Sequence, residues 1–505
     1  MVKNNVKKRT VLLVAFILFL MLPLNKLFPI PREIEYALKL NRINHYDEAL
    51  NIIYKALEED KIKPDITSAY TIGRVLYRKA YLYREMADVC IKTNLGYYLQ
   101  LQKLEKSDIV KLFLGISHFY NGQYIEAAGI LNQVIRNKKL DRDQLELAYV
   151  YLGASYYRNG EKSKAQDLWK RSVVESLLAK STLGYIYAYL MVNPSIGEAM
   201  AKEAMNLAKA KMASRYDIFK INHAYTLLAL GNFSDAYEEI KGVDLNIPIF
   251  VYKPSPKKEI KFYDISIIDS YSKIIFGESI KNLEPIVTAS SGELASFAAY
   301  YVAQMYVYLG DLNNGMKYVQ KAQRLAVTGS LTMMRSVALE SSIFLLQGKI
   351  RKGVKSLKQE IQLIYGKPSF LLEMMKVVIQ SGVPYNTIQD VVITVENYIY
   401  NSNWSRNRRE TALMGDLSLY SGRFVKAIYF FERARDKGNK NKIETNDPDF
   451  MINLAYVYYA KEYYPESLEI LFSLDKYFKG IRPIQNAVQS VYSFKQKGTG
   501  EALMD

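Results

Sequence analysis

The chain has 505 residues, is 49% hydrophobic and carries a formal net charge of +17. Its length exceeds one ordinary domain, and its apolar fraction supplies ample core. The single cysteine, Cys90, excludes an intramolecular disulfide and any Cys/His metal-binding spacing, and reads as a small packed residue on a helix.

The chain opens with MVKNNVKKRTVLLVAFILFLMLPLNKLFPIP. Lys3, Lys7, Lys8 and Arg9 precede an apolar run from Val11 to Leu24. This is either a signal peptide or an uncleaved signal anchor; a misread core helix is the third reading. The run is short of the ~20 residues a full span needs. Leu27, Phe28 and Ile30 extend it, and Lys26 can snorkel. No small-x-small cleavage site follows, and no cysteine follows for lipoprotein processing. The uncleaved anchor is therefore the reading adopted for residues 1–31. Positive charge before the span keeps the N-terminus cytoplasmic and puts the bulk of the chain on the outer side of the cytoplasmic membrane, the periplasm in a two-membrane bacterium.

Beyond Arg32 one pattern recurs, clearest in AYVYLGASYYRNGEKSKAQDLWKRSVV, residues 148–174. Tyr149, Leu152, Gly153 and Tyr156 share one helix face. Asn159-Gly160 marks a turn, and Ala165 and Trp169 share the face of a second helix. Small Gly153 and Ala165 permit close approach, and the aromatic rings fill the surrounding space. The same frame carries Ala37, Leu40, Ala49 and Ile53; Leu114, Gly115, Ala127 and Leu131; Ala224, Leu227, Ala236 and Ile240; Ala303, Tyr306, Gly315 and Val319; Gly415, Ala427 and Phe431; and Ala455, Tyr458, Ser467 and Leu471. Fainter copies turn near Asn193, Gly277, Gly348 and Gly382, and a degenerate copy is expected around Tyr70–Ile91.

These residues resemble the tetratricopeptide repeat, W-x2-L-G-x2-Y…A-x3-F, with Tyr149 in place of the Trp and Trp169 in place of the Phe. The resemblance implies an all-α fold, a TPR-like α-solenoid of about 10–12 helical hairpins behind the N-terminal membrane anchor helix. Residues 32–243 form an N-terminal solenoid and 263–480 a C-terminal one. The intervening 244–262 holds Pro248, Pro254 and Pro256 and reads as a loop or short extended link. Residues 481–505 supply a capping helix and a mobile tail.

No catalytic constellation is legible. HExxH, GxSxG, GxGxxG and GxxxxGK[ST] do not occur, and His45, His118 and His223 read as packed or surface side chains. No catalytic residue, cofactor or metal is expected. The basic clusters, including Arg406–Arg409 and residues 436–442, read as solvated surface or as contacts for anionic lipid or an acidic protein; no nucleic-acid-binding signature accompanies them.

In the family the first helix of each pair lines a concave groove. Carried onto this sequence, that places Leu112, Ile116, Phe119 and Tyr120 there; then Val150, Ala154, Tyr157 and Arg158; then Ile221, Tyr225 and Leu228; then Tyr300, Gln304, Val307 and Tyr308; then Ile452, Tyr456 and Tyr459. These are mostly aliphatic and aromatic, unlike the Lys and Asn of a carboxylate clamp. Two readings stay open: an extended protein segment held in the groove, or a tightly wound superhelix whose first helices pack on each other. The expected function is a non-enzymatic, membrane-anchored scaffold for other proteins of a multi-subunit envelope complex, with self-association allowed. A periplasmic adaptor or chaperone that captures client segments is the alternative. Anchor, repeat array and a Lys-, Ile-, Asn- and Tyr-rich composition together look like the repeat proteins of the spirochaete periplasmic flagellar collar, a likeness that implies a role in motility.

Overall fold

The computed structural model describes residues 31–173, 175–256, 258–401, 406–436, 448–475, 483–485 and 488. The stub and anchor of residues 1–30, most of the 481–505 cap and tail, and the basic run at 437–442 lie outside these. Among the described residues no helix is long and apolar enough to cross a membrane.

Contacts divide the chain into two compact units, with the boundary between Val75 and Leu76. The first holds the pair α1 (Arg32–Arg42) and α2 (Tyr46–Glu58) and the opening turns of α3 (Ile66–Leu104). Ala37 and Ala49, the small residues of the repeat frame, are both fully buried in it. Its turn uses Asn44 at φ 65, the left-handed conformation that Asn tolerates.

Among the described residues, the second unit contains the remainder of α3 and nine further pairs. Four pairs come first: α4 (Asp108–Tyr120) with α5 (Tyr124–Asn137), α6 (Arg142–Arg158) with α7 (Lys162–Ser172), α8 (Leu177–Tyr189) with α9 (Pro194–Lys211), and α10 (Tyr216–Ala229) with α11 (Phe233–Glu239). A hairpin of β1 (Phe250–Ser255) and β2 (Lys258–Phe262) and the long helix α12 (Ser266–Ala289) interrupt the array. Five pairs follow: α13 (Gly292–Tyr308) with α14 (Leu312–Leu325), α15 (Leu331–Leu346) with α16 (Ile350–Leu363), α17 (Pro368–Gln380) with α18 (Gln389–Asn401), α19 (Arg408–Tyr420) with α20 (Phe424–Asp436), and α21 (Pro448–Ala460) with α22 (Tyr464–Asp475).

The crossings work as the small residues require. A Cβ on Gly153 would run into the Trp169 indole, whose Nε1 donates to the Val150 carbonyl at 3.0 Å. A Cβ on Gly415 would likewise strike the Phe431 ring. Gly160 closes the α6–α7 turn at φ 90, a conformation glycine adopts without Cβ strain. Two helix starts carry reciprocal capping boxes: Asp141 with Gln144, and Asn407 with Glu410.

Two local expectations are corrected and a third is made specific. No turn divides Tyr70–Ile91: α3 runs unbroken for 39 residues, with no proline and no left-handed residue between Ile66 and Leu104. Gly277 does not turn either; it lies inside α12, where a Cβ would press on Leu228 and Phe233. The proline-containing link is an antiparallel hairpin, with Phe250 opposite Phe262, and its register shifts between Tyr252 and Ser255, around Pro254. Proline cannot donate to a ladder, and it sits here at that irregularity.

Candidate functional site

Four predicted groove residues, Gln304, Tyr308, Tyr456 and Tyr459, meet α3. Tyr77 donates to Gln304 Oε1 at 2.8 Å, and Gln304 Nε2 donates to the Tyr308 hydroxyl at 2.6 Å. Gln380 Nε2 donates to the Tyr81 hydroxyl at 2.6 Å, while Arg84 donates to the Gln380 carbonyl at 2.8 Å and lies 4.2 Å over the Tyr308 ring. Further along α3, Lys92 lies over Tyr456, and the Tyr459 hydroxyl donates to the Thr93 carbonyl at 3.0 Å. Tyr83 packs edge-on against Tyr271, and Ser272 donates to the Ala80 carbonyl. The partners lie on α12, α13, α17 and α21. A helix of the same chain thus lies against the C-terminal array, leaving a recess of about 400 Å³ between Arg84 and Asp88 on one side and Asp416, Tyr420 and Asn453 on the other. A Tyr- and Leu-rich helix buried on several sides needs no single apolar stripe, which is the pattern α3 shows.

The N-terminal array is lined differently. Phe119 and Tyr120 pack with Tyr151, and the Tyr120 and Tyr151 hydroxyls are 2.8 Å apart. Tyr225 meets Tyr185, and Lys273 of α12 lies over Tyr225 and Tyr189. Phe113 stacks on Phe262 of the hairpin at 4.1 Å, and Tyr98 of α3 stacks on the same ring. The buried Asp264 carboxylate accepts from the Ser266 hydroxyl at 2.6 Å; burial pushes its pKa upward. Burial also pushes Tyr225 up to about 12.

Other predicted positions are interhelical core. Leu112, Ile116, Val150, Ala154, Ile221, Leu228, Val307 and Ile452 are buried. Tyr300 is buried beside Tyr301. Tyr157 stacks on Trp169, and exposed Arg158 lies over the Tyr189 ring. The Arg406–Arg409 cluster is engaged within the chain: Arg406 donates to the Ile399 carbonyl, Arg408 to that of Ala434, and Arg409 pairs with Glu373 at 2.6 Å. Composition could not have shown this, because the partners are up to 36 residues away. Among the described residues no group of three or more His, Cys, Asp or Glu is placed to hold a metal.

His223 of α10 is buried, with Nδ1 2.7 Å from Glu239 of α11 and Nε2 3.3 Å from Glu198 of α9. Burial works to lower its pKa, but the hydrogen bonds and charges of Glu239 and then Glu198 outweigh it and the net direction is up. Lys202, paired with Glu198, is the nearby opposing cation. Because the folded value lies above the unfolded one, the stabilisation is complete below the ordinary histidine pKa and is lost as pH rises through the raised value. The melting-temperature gap between wild type and His223→Gln is accordingly expected to be widest near pH 6 and to narrow by pH 9. A gap independent of pH defeats this account.

Close-packed helical hairpins joined by left-handed turns, each nesting on the next, define a TPR-like α-solenoid. Solved structures similar in fold include yeast Tom70 (13% identity, TM-score 0.32, 93% of this chain and 95% of that one). A tetratricopeptide repeat protein from Parabacteroides merdae is another (11%, TM-score 0.25, 72% and 99%). The TPR domain of P58(IPK) is a third (12%, TM-score 0.20, 78% and 99%). No family model and no curated protein matches the chain.

Proposed function

We propose that this chain is a non-enzymatic scaffold that holds other proteins of an envelope-associated assembly together, anchored by its N-terminal segment to the cytoplasmic membrane with its bulk on the outer side. One observation carries the scaffold reading. The inner face that a client-capturing solenoid would offer is occupied by α3 through Gln304, Tyr308, Gln380 and Tyr459. An inner face crossed by a helix of the same chain makes a stiffer body, and it leaves the outer helices as the main surface for partners. Such a surface suits permanent assembly better than the transient capture of unfolded segments. The anchor rests on Val11–Leu24 and the four preceding cations. The narrowest version of the proposal is a periplasmic collar component of a flagellar motor, supported by composition and architecture.

The test is a C-terminally tagged full chain in its own cell. The tagged protein is expected in the membrane fraction, resistant to high salt and released by detergent, and removal of residues 1–31 should free it. It should co-purify with one large complex at fixed stoichiometry. Transient recovery of many unfolded clients instead would defeat the scaffold reading. A focal signal at the motor supports the collar version, and a diffuse envelope signal defeats that version alone.

A further inference from the structure

The outer row of the C-terminal array carries a local imbalance of charge. Helix α14 has Lys317, Lys321 and Arg324 and no acidic residue. Helix α16 and the residue before it carry Lys349, Arg351, Lys352, Lys355 and Lys358 against a single carboxylate, Glu360, which is half-buried. Among the described residues none of these eight cations pairs with a carboxylate. Some lysines of other outer helices do have a carboxylate, Lys164 with Glu161 and Lys202 with Glu198, whereas here Lys317, Lys349 and Lys352 have only the rings of Tyr318 and Phe344 beneath them. Uncompensated like charge at helical spacing destabilises the isolated fold, so this stretch has a cost that its neighbours avoid.

The cations frame an apolar floor. Ile350, 50% exposed, and half-buried Val354 lie on one open face of α16, a shallow concavity of about 470 Å³ lined by that helix alone together with Arg351, Lys355, Lys358, Gln359 and Gln362. Val354 sits between the lysine stems, where it can receive a partner's side chain. A bilayer would call for bulky apolar groups at the crest, and a nucleic-acid backbone would gain nothing from an apolar floor.

We propose that the outer face of α16 docks an acidic amphipathic segment of a partner protein, with its apolar side chains seated on Ile350 and Val354 and its carboxylates against Arg351, Lys355 and Lys358. This rests on the scaffold reading and names the chemistry of one partner. The cations would steer encounter and fix register, and the recess would supply the desolvated anchor.

The test uses the full chain and a labelled 14-residue helical peptide with leucines at i, i+3 and i+4 and glutamates on the flanking faces. Binding should fall at least tenfold for the Arg351→Glu/Lys355→Glu/Lys358→Glu variant, and about as much for a peptide of identical composition in scrambled order. Val354→Asp should also abolish it with the lysines intact. Equal binding of the scrambled peptide would overturn the proposal, as would binding to phosphatidylglycerol vesicles or duplex DNA with the same dependence on the three cations. In the cell, a photo-crosslinker at Gln359 should trap an Asp/Glu-rich segment. If the charge-reversed chain still co-purifies with its complex intact, the docking site fails while the scaffold stands; if wild type recovers no complex, the scaffold reading fails.

Discussion

An Ala80→Glu substitution is expected to release α3 from the C-terminal array and to cost about 3–5 kcal/mol, the range for an uncompensated buried charge. Ala80 is fully buried, and its carbonyl accepts from Ser272 at 2.8 Å. The adjoining turns are already committed: Tyr77 to Gln304, Tyr81 and Arg84 to Gln380, and Tyr83 to Tyr271. The flanking Lys79 lies over the Tyr271 ring, so its charge is also in use. The cations on either side, Lys79 over Tyr271 and Arg84 on Gln380 and Tyr308, are already engaged, and a glutamate at position 80 would be buried among them. Hydrogen exchange should report the loss residue by residue: protection at 76–104 collapses first, and the inner ends of α13, α17 and α21 follow. Nearest-neighbour pairs such as α6 with α7 should keep theirs, since each repeat depends chiefly on its neighbours. The conservative Ala80→Ser should change little. Unaltered protection of α3 in the Glu variant would mean that the helix is a passive passenger, and the scaffold reading would lose its main support.

The hairpins were legible because both halves of each crossing leave a mark: a small residue four positions from a large one, then a Gly turn, then the complement. Gly153 with Trp169 and Gly415 with Phe431 carry that mark in sequence and meet in space. Where the turn is built by Met191 at φ 53 or Glu462 at φ 64, the glycine signal vanishes although the geometry is the same. Helix α3 was illegible for a different reason. Its length, its Tyr content and its two glycines, Gly73 and Gly96, match a worn repeat, and only the absence of a left-handed residue separates it from one. What lies against it is a matter of tertiary packing: Tyr81 and Gln380 are 299 residues apart. The predicted groove positions were found by carrying over the repeat frame, which says which face a residue occupies. The frame is silent on what covers that face, because the cover comes from outside the repeat.

A crossing in which backbone meets backbone lies in a copy that reads as faint, and it gives the second large effect. Gly184 of α8 faces Gly197 of α9 so closely that a Cβ on Gly184 would stand 2.6 Å from the Gly197 carbonyl oxygen and 3.0 Å from the Ala201 Cβ. The reverse substitution meets the Gly184 carbonyl at the same 2.6 Å. At Gly153 the obstacle is a side chain, which can tilt at the expense of its hydrogen bond to Val150. At Gly184 it is backbone, and relief requires moving a whole helix. Gly184→Ala is therefore expected to cost about 3 kcal/mol, the upper end of overpacking, and Gly184→Val more. The same exchange at Gly129 should have the opposite sign. Gly129 sits within α5 at an ordinary helical φ with nothing within 4 Å of an added Cβ, so alanine there should stabilise by up to about 1 kcal/mol. Thermal and chemical denaturation of the two variants beside wild type decides the matter. Opposite signs mean that close approach of backbones, and not glycine as such, is what the repeat selects; equal destabilisation would show that flexibility in the helices had been mistaken for packing.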